Sequence, residues 1–171
     1  GTTISGGAGG VTIIPNNSQG AASILFDRAN TSGTSTVLNF ENNNTTVGSI
    51  SHGNSSTAYN TSSDYRLKEN ATAISDGITR LKTLKPYRFN FIIDADKTVD
   101  GFFAHEVTAV PEAITGTKDE IVTQSHVDSG EYQESELGNP IYQGIDQSKL
   151  VPLLVAAVKE LITKVETLEA A

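Results

Sequence analysis

The chain has 171 residues, enough for one domain or two small ones, a net charge of −8 and no cysteine. The missing thiols exclude disulfides, thiol catalysis and a thiolate zinc site. The acidic balance excludes nonspecific nucleic-acid binding, which needs basic patches against phosphates. No charged start precedes an apolar run and no stretch approaches membrane-spanning length, so neither a signal peptide nor a membrane partner is expected.

The composition breaks near Ser63. Of residues 1–62, 38 are Gly, Ser, Thr or Asn, and only Asp27, Arg28 and Glu41 are charged. Residues 64–171 hold the other 18 acids and all but one of the 12 bases. Within the first part, short β-branched or alternating runs occur at 11–14, 23–26, 36–40 and 46–51, separated by turn clusters such as Asn42-Asn43-Asn44. Strands at this spacing describe a β-meander or solenoid rather than a flexible linker. The apolar content is too low for one chain to close a core. Several chains wrapping together, each giving a few Ile, Leu, Val or Phe to a shared axis, is the expected solution. The reading is an intertwined, trimeric β-stalk over 1–62.

The second part opens with Ser62-Ser63-Asp64-Tyr65-Arg66-Leu67-Lys68. Next, Ile74, Ile78, Leu81 and Leu84 lie at helical spacing, which predicts a short helix over 75–84 with Ser75 as N-cap, ended by Pro86. Tyr87-Arg88-Phe89-Asn90-Phe91 alternates like a strand. Residues 103–110 are expected to form a further short helix, stopped at Pro111. Residues 121–142 are polar and broken by Gly130, Gly138, Asn139 and Pro140, too long for an ordinary loop. The last helix is expected to begin near Gln147 or Ser148, with Pro152 tolerated in its first turn. Val151, Leu154, Val158, Leu161, Val165 and Leu168 alternate spacings of three and four, the pattern of a coiled coil. About three heptads is marginal for an isolated coil, so this helix must also pack on its own domain. Val and Leu at these positions do not by themselves settle the number of strands.

Four blocks together carry a resemblance: the segment from Ser62 to Lys68; Leu84-Lys85-Pro86-Tyr87-Arg88-Phe89; Gly101-Phe102-Phe103-Ala104-His105-Glu106-Val107 with Val110-Pro111-Glu112-Ala113-Ile114; and Gln143-Gly144-Ile145-Asp146 with Lys149-Leu150-Val151-Pro152. In order and spacing they resemble the endosialidase-type intramolecular chaperones, the self-cleaving C-terminal domains of bacteriophage tail spikes, tail fibres and neck appendages. The resemblance spans 63–171. It implies a mixed α+β homotrimer whose C-terminal domain has short helices, an extended β-hairpin arm at 121–142 reaching along the stalk, and a trimeric coiled-coil helix. Its folding client is then its own N-terminal stalk. The stalk is expected in the virion and the chaperone domain in the host cytoplasm during assembly.

The resemblance also assigns chemistry: Ser63 as nucleophile, Lys68 as general base, Asp64 and Arg66 as supporting motif residues, and Ser62–Ser63 as the cleaved bond. No cofactor or metal is implied. A serine needs a base for its hydroxyl proton, and lysine serves if burial favours its neutral amine. His52, His105 and His126 are scattered and read as structural. A spacing of five puts two side chains on opposite faces of a strand and about 140° apart on a helix. Ser63 and Lys68 therefore meet only if the chain bends between them or if the lysine comes from a neighbouring protomer. Two other functions compete. An uncleaved fibre tip binding a receptor or glycan is disfavoured by a stalk with only Phe26, Phe40 and Tyr59 for stacking. A glycosidase would have only Asp27 and Glu41 as stalk carboxylates.

Overall fold

The computed structural model describes residues 33–171. The chain divides into two compact units, the first ending at Ala71 and the second running Thr72–Ala171. The strands expected at 11–14 and 23–26, with Asp27 and Arg28, lie outside the described residues.

In the first unit, β1 (Ser35–Asn42), β2 (Thr45–His52) and β3 (Thr57–Thr61) form an antiparallel meander in the order β1-β2-β3. Asn43 and Asn44 make the first reversal with φ of 47° and 59°, a left-handed conformation that Asn tolerates and tight hairpins require. Strand β3 lacks an apolar run; its pairing with β2 defines it, Tyr59 opposite Ile50 and Asn60 opposite Ser49. Asn60 reinforces that pairing, its Nδ2 donating to Ser49 Oγ at 3.3 Å and Ser51 Oγ at 3.1 Å. No second layer covers this sheet among the described residues. Its buried residue is the polar Ser51, while Leu38, Phe40, Val47 and Tyr59 are exposed.

The second unit has a real core. It comprises α1 (Gly77–Leu81), the hairpin β4 (Tyr87–Phe91) and β5 (Asp94–Gly101), β6 (Ile114–Thr115), α2 (Gln124–Asp128), β7 (Gly144–Ile145) and α3 (Val151–Glu169). Val107, Val110, Ala113, Leu150 and Leu153 are buried together, with Leu84, Phe102 and Ile145 packed around them. The two-residue ladder of Ile114 with Ile145 and Thr115 with Gly144 draws the middle of the unit onto the start of α3.

Helix α1 is shorter than its periodicity suggests, and Ser75 does not cap it. The caps come from α3: Gly77 N–H donates to Glu160 Oε1 at 2.5 Å and Ile78 N–H to Glu160 Oε2 at 3.2 Å. Gly77 permits this approach, because a Cβ there would stand 2.5 Å from Ala157 N. The Arg80 guanidinium fixes the helix from the other side, donating to the Ala109 carbonyl through Nε at 3.1 Å and Nη2 at 2.5 Å.

Strand β4 forms where its alternation predicts. Strand β5, Asp94-Ala-Asp-Lys-Thr-Val-Asp-Gly101, is poor in β-formers and exists because β4 pairs with it, Phe89 opposite Val99. The aromatic side chains of this hairpin pack on Phe103, with ring centroids 5.0 Å away for Tyr87 and 6.0 Å for Phe89. The expected helix over 103–110 is replaced by a three-residue 3₁₀ turn, Ala104–Glu106, and a second such turn follows it at Pro111–Ala113. Val107, Val110 and Ala113, three apart in sequence, are all about 1% exposed. A spacing of three suits tight turns laid on a core better than it suits a 3.6-residue helix.

The extended β-hairpin arm expected at 121–142 is also corrected. A single bridge, Ile121 with Pro140, closes a loop that contains α2 and a 3₁₀ turn at Glu134–Glu136. Val122 is buried at its neck, where it exchanges backbone hydrogen bonds with Asn139 and Gly138. The breakers at Gly130 and Gly138 adopt φ of 79° and 82°, which folds the segment back on itself.

Helix α3 starts where expected, through a 3₁₀ turn at Gln147–Leu150 capped by Asp146, with Pro152 in the first turn of α3. Its packing face within the chain is Leu153 and Ala157, 2% and 0% exposed. The six heptad residues lie elsewhere on its circumference and are 43–76% exposed. No described helix is long and apolar enough to cross a membrane.

Candidate active site

The segment leaving β3 holds the residues singled out by the sequence. Ser62 is still tied to the sheet, its N–H donating to Val47 O at 3.1 Å and its hydroxyl to Thr46 O at 3.2 Å. Beyond it the chain turns. Asp64 is extended at φ −63° and ψ 137°, residues Tyr65–Leu67 form a 3₁₀ turn, and Lys68 is extended again at φ −125° and ψ 138°. Backbone bonds of 3.1 Å from Leu67 N–H to Asp64 O and from Lys68 N–H to Tyr65 O close the turn.

This bend answers the geometric problem of the five-residue spacing. Lys68 Nζ lies 2.7 Å from Ser63 Oγ and donates to it, both side chains belonging to one chain. Of the two ways the residues can meet, the bend is the one observed.

Asp64 and Arg66 hold the turn. Asp64 Oδ1 accepts from Arg66 N–H at 2.8 Å and from Arg66 Nε at 2.9 Å, and Oδ2 accepts from Arg66 Nη2 at 2.8 Å. The side-chain bond from Arg66, aided by its backbone N–H, holds the Asp64 carboxyl below its ordinary range, and Asp64 raises Arg66 in return. Residues 61–72 are all exposed in the single chain. Tyr65 and Leu67, the large side chains of the turn, are 81% and 68% exposed.

The three histidines are engaged elsewhere. His52 Nδ1 faces Gly53 O at 3.2 Å, His105 stacks on Phe103 with centroids 6.1 Å apart, and His126 Nδ1 accepts the Thr123 N–H at the start of α2. Among the described residues no group of three or more His, Asp or Glu is placed to hold a metal ion.

Sequence reasoning missed one device of the second unit, the cap that Glu160 gives α1. No local signal marked it, because Ser75 and Asp76 before Gly77 both read as ordinary cap residues; neither caps the helix with its side chain. It also missed Lys85 Nζ donating to Glu106 Oε1 at 3.1 Å, which ties the residues before β4 to the turn after Phe103.

Comparison with curated proteins and with solved structures gives no significant match. Residues 63–115 match the family model Peptidase_S74, described as "Chaperone of endosialidase". The match begins at the serine that Lys68 contacts, and its name joins a peptidase family to a chaperone role. It ends with the Ala113 and Thr115 segment that closes the core. The match supports an endosialidase-type chaperone domain, with residues 63–115 as the part of the chain matched.

Proposed function

We propose that this domain is an intramolecular chaperone that trimerises and folds the β-stalk of a phage tail fibre or tail spike, then releases itself by cutting Ser62–Ser63. The observation that carries the reading is the 2.7 Å contact of Lys68 Nζ with Ser63 Oγ at the first residue of the family match. In the reaction, neutral Lys68 takes the proton from Ser63 Oγ, which attacks the Ser62 carbonyl carbon. The Ser62–Ser63 C–N bond breaks as the proton passes to the Ser63 nitrogen, leaving an ester between the Ser62 carbonyl and Ser63 Oγ. Water hydrolyses that ester, giving a Ser62 carboxylate and restoring the Ser63 hydroxyl. The bonds that pin Ser62 to β2 hold the acyl side while the turn presents the nucleophile.

A lysine ammonium in water keeps its proton at neutral pH, and burial is what favours the free amine. In the lone chain the dyad is assembled but wet. A second protomer covering Tyr65 and Leu67 would also remove water from Lys68, which makes cleavage wait for assembly.

Two features support trimerisation. The exposed stripe of α3 sorts by register into Val151, Val158 and Val165 at one heptad position and Leu154, Leu161 and Leu168 at the other. That pairing alone favours two strands. Val155 and Ile162, each about half exposed, widen the stripe beyond a two-stranded seam and support a third helix. Beside Leu154, Leu81, Leu84, Pro86, Phe102 and Leu150 line an apolar recess of about 410 Å³, room for a neighbour's side chains. The sheet of the first unit supports the client role, since among the described residues its apolar side chains are left uncovered. Cleavage leaves a stalk that cannot unfold by reversing its assembly, so it persists by kinetic stability. In this reading the stalk stays in the virion and the chaperone domain in the host cytoplasm.

The test is freshly expressed protein on a denaturing gel with mass analysis of the fragments. Two products, ending at Ser62 and beginning at Ser63, are expected, and a single intact band from the Ser63→Ala variant. One intact band from the unaltered chain sinks the autoproteolytic reading and favours a permanent fibre tip. Sedimentation equilibrium of Ser63→Ala is expected to give three chains; two chains would refute the trimer.

A further inference from the structure

We propose that Asp64 and Arg66 are positioning residues of the dyad: they close the turn that carries Lys68 back to Ser63 of the same chain. The inference rests on the autoproteolytic reading above. All the change in chain direction between nucleophile and base lies in Tyr65–Leu67, since Asp64 and Lys68 on either side are extended. A single 3₁₀ turn is weak, and this one has two backbone bonds of its own and no buried residue. What holds it is the Asp64 carboxylate, which caps the Arg66 N–H and grips the Arg66 guanidinium with two further bonds. An exposed ion pair adds little to global stability. Its effect here is local, on the fraction of chains in which Nζ stands against Oγ. Neither Asp64 nor Arg66 is bonded to Ser63 Oγ, so neither is a catalytic residue.

The arrangement also divides labour between one chain and its neighbours. Proximity of base to nucleophile is built within the chain, and only the exclusion of water is left for assembly. A neighbour's lysine is not needed.

The experiment times cleavage of the full chain after a pulse of cell-free synthesis, with trimer content followed on native gels. Asp64→Ala is expected to assemble normally and cleave about five- to tenfold more slowly, the size of a lost N-cap. Its pH–rate profile should keep the shape of the unaltered chain's and lie below it. Asp64→Asn still caps, so it should cleave within about twofold of the unaltered chain. Arg66→Ala leaves the cap, loses the fork, and should slow cleavage about twofold. In mixed trimers of Ser63→Ala and Lys68→Ala chains, neither chain should be cut. Unaltered rates in Asp64→Ala, failure of Asn to rescue, or cleavage of Lys68→Ala chains in mixed trimers would each overturn the proposal. If the unaltered chain is not cut at all, the autoproteolytic reading fails, and a second measurement still decides the turn. In the Ser63→Ala protein, amide exchange at Leu67 and Lys68 should quicken in Asp64→Ala and not in Asp64→Asn. Equal exchange in both rejects the positioning role.

Discussion

The two units solve opposite packing problems. Among its described residues the first places three strands side by side and buries almost nothing: Phe40 and Tyr59 are exposed, and the residue concealed is a serine. The second tucks Val107, Val110, Leu150 and Leu153 into one cluster and still leaves an apolar stripe on α3. A sheet without a covering layer cannot stabilise itself, because burial of apolar surface is the main favourable term in folding. A unit with its own core can fold first and then offer a surplus face. That asymmetry fits the proposed roles of folding scaffold and client, a proposal in which α3 carries assembly.

The largest effect should come from charging that surplus face. Leu154→Asp with Leu161→Asp places like charges along the shared seam, and the expected outcome is loss of the trimer and of the ordered stalk. The second unit should keep its circular-dichroism spectrum, because neither leucine is in the core of its own chain. If sedimentation shows an intact trimer, the stripe is not the assembly surface. If the second unit unfolds as well, the two faces of α3 are not independent.

Core deletion probes the other face of the same helix. Leu153→Ala in the uncleaved Ser63→Ala background should cost about 2–5 kcal/mol of unfolding free energy in urea, since it empties a site that is 2% exposed. A loss under 1 kcal/mol would mean that the core relaxes freely around the gap. Next comes Gly77→Ala, whose new methyl meets the backbone of Ala157; separating α1 from α3 should cost about 1–3 kcal/mol. Glu160→Ala removes both bonds to the start of α1 and should cost about 1 kcal/mol, in the range of a lost cap. Urea midpoints of the three variants give the order directly, and any inversion would show which contact of the pair has been misjudged.

What the sequence disclosed follows the same division. Periodic signals were legible: β1, β2 and β4 from alternation, α3 and its outward stripe from heptads, and the turn at Asn43 from its chemistry. So was the residue pair at Ser63 and Lys68, though only as a resemblance with a geometric condition attached. Elements that exist through a partner were not. Strands β3 and β5 are polar and borrow their conformation from β2 and β4. Glu160 caps a helix more than eighty residues away in sequence, which no local rule sees. Ile92 and Ile93 are apolar yet form a hairpin tip 100% and 97% exposed. Residues 121–142 gave breakers without a register, and those breakers fold the loop back instead of extending it.

The smallest effect is acid sensitivity, which should differ between the units. In the second unit three carboxyls are held below their ordinary range: Glu106 by the Tyr87 hydroxyl and then Lys85, Asp100 by Arg88, and Asp146 by Ser148. Among the described residues the first unit has one, Asp64, held down by Arg66. A carboxyl whose folded value lies below its unfolded value stabilises the fold in its ionised form. That contribution is complete above the unfolded range, about pH 4 to 5, and disappears as pH falls through the folded value. Acidification should therefore lower the urea midpoint of the second unit progressively while the β signal of an assembled stalk changes little. Asp100 and Arg88 are exposed and Glu106 is only partly buried, so the slope should be shallow and flatten further in high salt. Glu106→Gln should reduce that slope, because the amide does not titrate. A midpoint that falls just as steeply in Glu106→Gln would remove Glu106 from the account and leave Asp100 and Asp146 to carry it. A stalk that melts before the second unit would mean that acid acts first on the interchain contacts, and the contrast between a self-sufficient scaffold and a dependent client would then be one of assembly rather than of intrinsic fold.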